Sequence, residues 1–376
     1  MKIVADDKIP FLKGVLEPLA EVVYLPGQMV NNSHIRDADA LLVRTRTQCN
    51  EDLLKGSRVK FIGTATIGYD HIDTSWCEKQ GITWKNAPGC NASSVSQYIA
   101  SALLTLSVKL GFSLKDRSLG VVGVGNVGSK VVRFAELIGM QVYLCDPPRV
   151  RQEGACGFIA HDGILRECDL ISYHVPLNLG GKDKTYQMIN SNFLENANKG
   201  TIIINTSRGE VADGNALKDA MRKGTIAGLV LDVWENEPAI DTELMRLCSL
   251  ATPHIAGYSA DGKAKGTSMV VQELSRFFKL GVDDWEAGNI PHPPVPEIRI
   301  DCRNLSTDEI LYRAILHTYA VTGDDSRLRE APERFEKLRC DYPLRREFTA
   351  YTLLLEHASE DQKRLCRKLG FKVKHQ

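Results

Sequence analysis

The chain has 376 residues, 43% hydrophobic and 25% charged, with 47 basic side chains against 47 acidic ones. That length predicts two or three domains, and the charge balance excludes a general attraction to nucleic acid or an anionic membrane surface. No apolar run reaches bilayer length, no leader-like apolar stretch follows Met1–Ala5, and the ten scattered cysteines form no C-x-x-C pair, so a cytoplasmic protein with no membrane partner and no metal site is expected.

In chain order, Lys2–Ala5, Val22–Leu25, Ala40–Val43, Val59–Gly63 and Ile82–Lys85 read as short strands, with helical patterns at Asn50–Lys55 and Ile72–Gln80. Alternation of this kind predicts a parallel sheet covered on both faces. A long apolar helix over Ser93–Leu110 leads into a second series. Its strands are Ser118–Val122, Gln141–Cys145, Asp169–His174, Thr201–Asn205, Ile226–Asp232 and Leu250–Thr252, with a helix over Asn126–Ile138. Six such strands suit a doubly wound sheet. A helix from Lys263 to Leu280 has the length to return to the first lobe. The proline-rich stretch Pro291–Pro296 reads as a stiff linker. Beyond it, strands at Glu297–Cys302 and Ala350–Leu355 and helices at Asp308–Ala320 and Asp361–Leu369 predict a small α+β unit. The expected architecture is therefore α/β. A flavodoxin-like parallel-sheet lobe is built from residues 1–95 and 258–285, a Rossmann lobe from 96–257, and a small domain from 286–376.

Gly123-Val124-Gly125-Asn126-Val127-Gly128 is a G-x-G-x-x-G that follows a strand and opens a helix, the context such a motif needs to bind a dinucleotide. Asp146 ends the next strand, 18 residues after Gly128. A carboxylate there accepts from ribose hydroxyls and repels a 2′-phosphate, which selects NAD; Arg149 nearby tempers the selection. Three later strands end in Asn205-Thr206-Ser207-Arg208-Gly209, Leu231-Asp232-Val233-Trp234-Glu235-Asn236-Glu237-Pro238 and Pro253-His254-Ile255-Ala256-Gly257-Tyr258. Oxidising a hydroxy acid needs a base for the hydroxyl proton, a carboxylate to orient it, and a guanidinium for the substrate carboxylate. His254, Glu237 and Arg208 supply those three types. Taken singly, each is as readily a loop histidine, an exposed glutamate or a turn arginine; their common position at strand ends argues for the catalytic reading.

These segments, with Asn86-Ala87-Pro88-Gly89 and His174-Val175-Pro176-Leu177, resemble the D-2-hydroxyacid dehydrogenase family over most of residues 40 to 280. The resemblance implies two α/β lobes, NAD as cofactor, and a substrate lobe made of both chain ends. Within the family the chain is similar to the branch that oxidises 4-phospho-D-erythronate during pyridoxal phosphate synthesis, and its last domain is similar to that branch's dimerisation domain, which implies a homodimer. By position, Gly123, Gly125, Asn126, Val127, Gly128, Asp146, Val175, Thr206, Ser207, Asp232 and Gly257 would line the cofactor. Thr45, Thr66 and Tyr258 would contact substrate, with Arg44 (or Arg46) on its phosphate. Thr45, Thr206 and Gln97 depart from residues common in the branch. Two other readings stay open: a phosphoglycerate dehydrogenase with a regulatory C-terminal domain, and an NAD-sensing corepressor.

Overall fold

The apolar runs of the first ninety residues form five strands, β1 (Lys2–Asp6), β2 (Glu21–Leu25), β3 (Ala40–Val43), β4 (Phe61–Thr64) and β5 (Thr83–Lys85). All pair in parallel, in the order β2-β1-β3-β4-β5, which is the flavodoxin-like arrangement. β3 and β4 are buried at every residue, as a parallel strand covered on both faces must be. β4 starts two residues later than the apolar pattern suggests. The ladder with β3 begins at the Ala40–Phe61 pair, and Val59 is buried without joining it.

The computed structural model describes residues 1–374. They divide into two compact units: Met1–Asn91 with Ser259–Pro291, and Ala92–Tyr258 with the chain from His292 onward. The helix Ala260–Phe278 belongs to the first unit; Ser259 Oγ caps it by accepting from Gly262 N–H, and Val270, Val271 and Leu274 pack into the core with Ile3, Leu42 and Phe61.

The second unit holds β6 (Ser118–Val122), β7 (Gln141–Cys145), β8 (Leu170–Tyr173), β9 (Ile202–Asn205), β10 (Gly228–Leu231) and β11 (Leu250–Ala251). They form one parallel sheet in the order β11-β10-β9-β8-β6-β7, extended past β7 by a single parallel bridge between Leu144 and Phe158. The strand order reverses between β6 and β8, and a crevice at such a switch point takes the ligand. The helix Gly128–Leu137 follows β6 and buries Val131, Phe134 and Ala135.

The same unit ends in a third parallel sheet, β12 (Glu297–Asp301), β13 (Thr352–Glu356) and β14 (Lys372–Lys374), ordered β12-β13-β14. The helices Thr307–Thr318, Val321–Glu330 and Phe335–Cys340 lie between β12 and β13, and Glu360–Leu369 between β13 and β14. The single helix expected over Asp308–Ala320 stops at Thr318, and a new one starts at Val321, whose N–H donates to Ser101 Oγ (3.0 Å). Ile298, Ile310, Ile315 and Leu353 of this module share one buried core with Tyr98, Leu103 and Leu119. No helix among the described residues is long and apolar enough to cross a membrane.

Candidate active site

Strands β9, β10 and β11 are neighbours, and they end level: Leu231 pairs with Asn205 on one side and Ala251 on the other. Three loops therefore leave the sheet side by side at its carboxyl edge. The first carries Arg208, the second Glu237 and the third His254.

A buried carboxylate ties the second loop to the third. Asp232 is 1% exposed and accepts from Thr252 Oγ1 (2.6 Å), Ile255 N–H (2.8 Å) and Ala256 N–H (2.8 Å). Thr252 Oγ1–H is directed at Asp232, so in its 2.8 Å contact with Tyr98 the Tyr98 hydroxyl is the donor. His254 N–H donates to the Asp232 carbonyl (2.7 Å) and Trp234 Nε1–H to the Thr252 carbonyl (2.9 Å). This web holds His254 at φ +56°, a left-handed conformation that persists only where the surroundings over-determine it.

His254 Nδ1 lies 2.7 Å from Glu237 Oε2, and Trp234 N–H donates to Glu237 Oε1 (3.0 Å). Burial by itself pushes the Glu237 carboxyl up. The hydrogen bond and charge of His254, the Trp234 N–H and the charge of Arg339 outweigh it and hold the group below its ordinary range. Glu237 is thus ionised at neutral pH and can only accept. Nδ1 carries the ring proton, and Nε2 is left as the basic nitrogen. His174, at the end of β8, is a contrast. Burial pushes it down to about 3, and its ring nitrogens face Ser172 Oγ (2.9 Å) and Thr206 Oγ1 (3.4 Å), which makes it a structural histidine.

Arg208 is half-buried, its Nη1 donating to the Ser207 carbonyl (2.8 Å). Asn205 shapes that loop. Its Oδ1 accepts from Ser207 N–H and Oγ–H, and its Nδ2 donates to the Arg208 carbonyl. Gly209 lets the loop touch the next one, since a Cβ there would stand 2.0 Å from the Trp234 carbonyl carbon.

The site lies in a region that matches a known sequence family: the D-isomer specific 2-hydroxyacid dehydrogenase, NAD binding domain, over residues 96–256. A domain of unknown function matches residues 290–370. An erythronate-4-phosphate dehydrogenase from Bacteroides fragilis is 47% identical over 356 residues, 94% of this chain and 99% of its own length. The chain belongs to the erythronate-4-phosphate dehydrogenase family. A member from Porphyromonas gingivalis is 42% identical over 99% of this chain and all of its own. Among solved structures, the NAD-bound 3-phosphoglycerate dehydrogenase of Entamoeba histolytica superposes with a TM-score of 0.63 at 28% identity, covering 77% of this chain and 99% of that one. Like these relatives, the chain is an NAD-dependent dehydrogenase.

The glycine turn fits that cofactor for a physical reason. A Cβ at Gly123 (φ +86°) would stand 2.5 Å from the His174 carbonyl oxygen, and one at Gly128 would stand 2.0 Å from the Gly123 carbonyl oxygen. The protein's own packing requires those two glycines. A Cβ at Gly125 would meet nothing within 4 Å, and that side of the turn is the open space a pyrophosphate needs against the backbone. Asn126 and Val127 bridge that opening to the helix at Gly128, and the Val175 side chain lies beside Gly123. Asp146, at the end of β7, accepts from Val124 N–H (2.8 Å) and Arg149 N–H (3.0 Å), and it keeps further lone pairs for ribose hydroxyls. Arg149 is paired with Glu153 and donates to the Val124 carbonyl.

Other family positions are accounted for one by one. Ser207 is buried with its hydroxyl on Asn205, and Asp232 has both oxygens turned to the loop that carries His254, so in the protein alone both brace the site. Gly257 lies in the turn after His254, closed by Tyr258 N–H on the Ile255 carbonyl. The Tyr258 ring packs edge-on to Tyr342 (5.7 Å). In the first unit, Arg44, Thr45 and Arg46 follow β3; Arg44 Nη1 donates to the Lys8 carbonyl (3.1 Å), while Thr45 and Arg46 are exposed. Thr66 follows β4, donating to the Gly68 carbonyl (2.8 Å).

Sequence reasoning missed Arg339 and Arg345. The first stands 3.9 Å from Glu237 Oε2. The second is buried and donates to the carbonyls of Ser94, Ile255 and Ala256. Neither carries a local signal, because an arginine in a polar stretch reads as surface.

Proposed function

We propose that the chain oxidises 4-phospho-D-erythronate to (R)-3-hydroxy-2-oxo-4-phosphobutanoate in pyridoxal phosphate synthesis, as a cytoplasmic homodimer paired through residues 286–376. The substrate follows the name shared by its relatives, and the dimer rests on resemblance. NAD bound along the 123–128 turn supplies the hydride acceptor. His254 Nε2 takes the proton of the C2 hydroxyl, Glu237 holds the ring and balances the imidazolium, and Arg208 binds the substrate carboxylate through two hydrogen bonds. Arg44, Thr45, Thr66 and Tyr258 contact the substrate, with Arg44 on its phosphate. The observation that carries the reading is the 2.7 Å contact between His254 Nδ1 and Glu237 Oε2, which leaves a basic nitrogen at the carboxyl edge of a dinucleotide-binding sheet.

The test is one panel: 4-phosphoerythronate, 3-phosphoglycerate, glycerate and lactate, each with NAD. 4-Phosphoerythronate should have the highest kcat/KM; 3-phosphoglycerate in first place would replace the substrate, and no turnover with tight NADH binding would point to a sensor. His254→Ala should lower kcat by about 10²- to 10⁴-fold with NAD affinity retained. Near-normal turnover would remove His254 from the mechanism.

A further inference from the structure

The helix Phe335–Cys340 belongs to the module that matches a domain of unknown function, yet one of its side chains reaches the catalytic candidates. Arg339 Nη1 stands 3.9 Å from Glu237 Oε2, on the carboxylate that also accepts from His254. Its side chain is 18% exposed, its guanidinium carbon lies 5.8 Å from the ring centres of both Tyr258 and Phe335, and its buried Nε has no hydrogen-bond partner. Burying a guanidinium with an unmatched N–H is costly. Two carboxylates offset that cost: Glu336, which accepts from Nη1 at 3.4 Å, and Glu237.

We propose that Arg339 is a positioning residue of the dehydrogenase: a cation supplied by the C-terminal module that holds the Glu237 carboxylate behind His254 and weakens the grip of the Glu237–His254 pair on a proton. This rests on the proposed roles of Glu237 and His254. In the oxidation direction His254 must start as a free base. The ionised Glu237 favours the imidazolium, and a second cation on the same carboxylate offsets part of that preference. At 3.9 Å the contact acts through charge rather than a directed hydrogen bond. The other charged groups facing the pair are Asp232, under the His254 loop, and Glu336, 3.4 Å from Arg339 Nη1. Two coupled groups titrate as a unit, so the readout is the acid limb of kcat/KM against pH.

The experiment measures that limb for the full-length enzyme with 4-phosphoerythronate and saturating NAD. Arg339→Met keeps the stem and the packing on Tyr258 but removes the charge, and should move the limb to higher pH by about half a unit or more. Arg339→Lys should restore the wild-type limb. Glu336→Gln removes an acid beside the guanidinium from a half-buried position and should move the limb to lower pH by a few tenths of a unit, roughly what a partly screened charge gives. A purely packing role would lower stability in Arg339→Met and leave the profile unmoved. Superposable profiles for Arg339→Met and wild type, or a lysine that fails to restore the limb, would overturn the proposal. If Arg339→Met does not fold, an unmoved limb in Glu336→Gln overturns it instead. Should His254→Ala prove inactive while Arg339→Met leaves the limb in place, only this inference falls; a still-active His254→Ala removes the mechanism beneath it.

Discussion

Glu237 shows how a single buried side chain can be read thermodynamically. Burial alone would favour its neutral form, but the hydrogen bond and charge of His254, the Trp234 N–H and the charge of Arg339 leave its carboxyl below the usual range. A group whose folded-state pKa is depressed contributes stability that is fully present above the unfolded pKa, near 4.3, and is lost as pH falls through the folded value. Glu237→Gln removes that contribution and leaves Trp234 N–H and His254 with a weaker, neutral acceptor. At pH 7 the variant should be less stable by about 1–3 kcal/mol. The difference from wild type should shrink as the pH is taken from about 6 to about 3. Urea unfolding at a series of pH values measures it; a difference that does not change with pH would mean the Glu237 carboxyl is not depressed.

At the scale of the element, the glycine turn separates what the fold needs from what the cofactor needs. Gly128→Ala pushes a Cβ to within 2.0 Å of the Gly123 carbonyl oxygen and should destabilise the protein by about 1–3 kcal/mol. Gly125→Val meets no protein atom within 4 Å of its Cβ, so stability should stay within about 0.5 kcal/mol of wild type. NAD affinity should nevertheless fall at least tenfold, about 1.4 kcal/mol. Calorimetric titration and thermal unfolding read the two quantities apart, and a Gly125→Val variant that binds NAD normally would show that the open space is not the pyrophosphate's. This turn was legible in the sequence because a strand, three glycines and a helix follow one another within a few residues. The three catalytic candidates were legible for the same reason, each standing a few residues past an apolar run. The family resemblance implies a cofactor contact for Asp232, and the structure adds that its oxygens hold the 252–256 loop; a carboxylate after a strand reads the same in either role. The helix Val321–Glu330 was not legible, because its opening Thr-Gly-Asp-Asp is poor helix material, and its start is set by the Ser101 hydroxyl more than two hundred residues away.

At the scale of the whole molecule, the C-terminal module is bound into the catalytic unit far more closely than a tethered pairing domain would be. Gln97, on the helix Ala92–Leu110, donates through one amide nitrogen to Thr318 Oγ1 (3.1 Å) and the Arg346 carbonyl (3.0 Å). An ionised glutamate there, with no N–H, could donate neither bond. Asp324 is 2% exposed and takes the hydroxyls of Tyr319 (2.8 Å) and Tyr342 (2.7 Å), and the Arg345 guanidinium lies 4.3 Å over the Tyr319 ring while holding the carbonyls that follow His254. Deleting residues 292–376 would therefore strip the cover from Tyr98 and Leu103, take the Arg345 guanidinium from the Ser94, Ile255 and Ala256 carbonyls, remove both acceptors of the Gln97 amide, and take Arg339 from Glu237. The larger loss is the shared apolar core, where each large side chain re-exposed costs about 1.5–3 kcal/mol, so a handful of them rivals the entire stability of an ordinary domain. The shortened chain should be insoluble or molten, with no cooperative thermal transition and no turnover, whatever its subunit count. A module that served pairing alone would behave otherwise. Its removal would yield a folded, NAD-binding monomer, and size-exclusion chromatography with thermal unfolding of the shortened chain distinguishes the two outcomes directly.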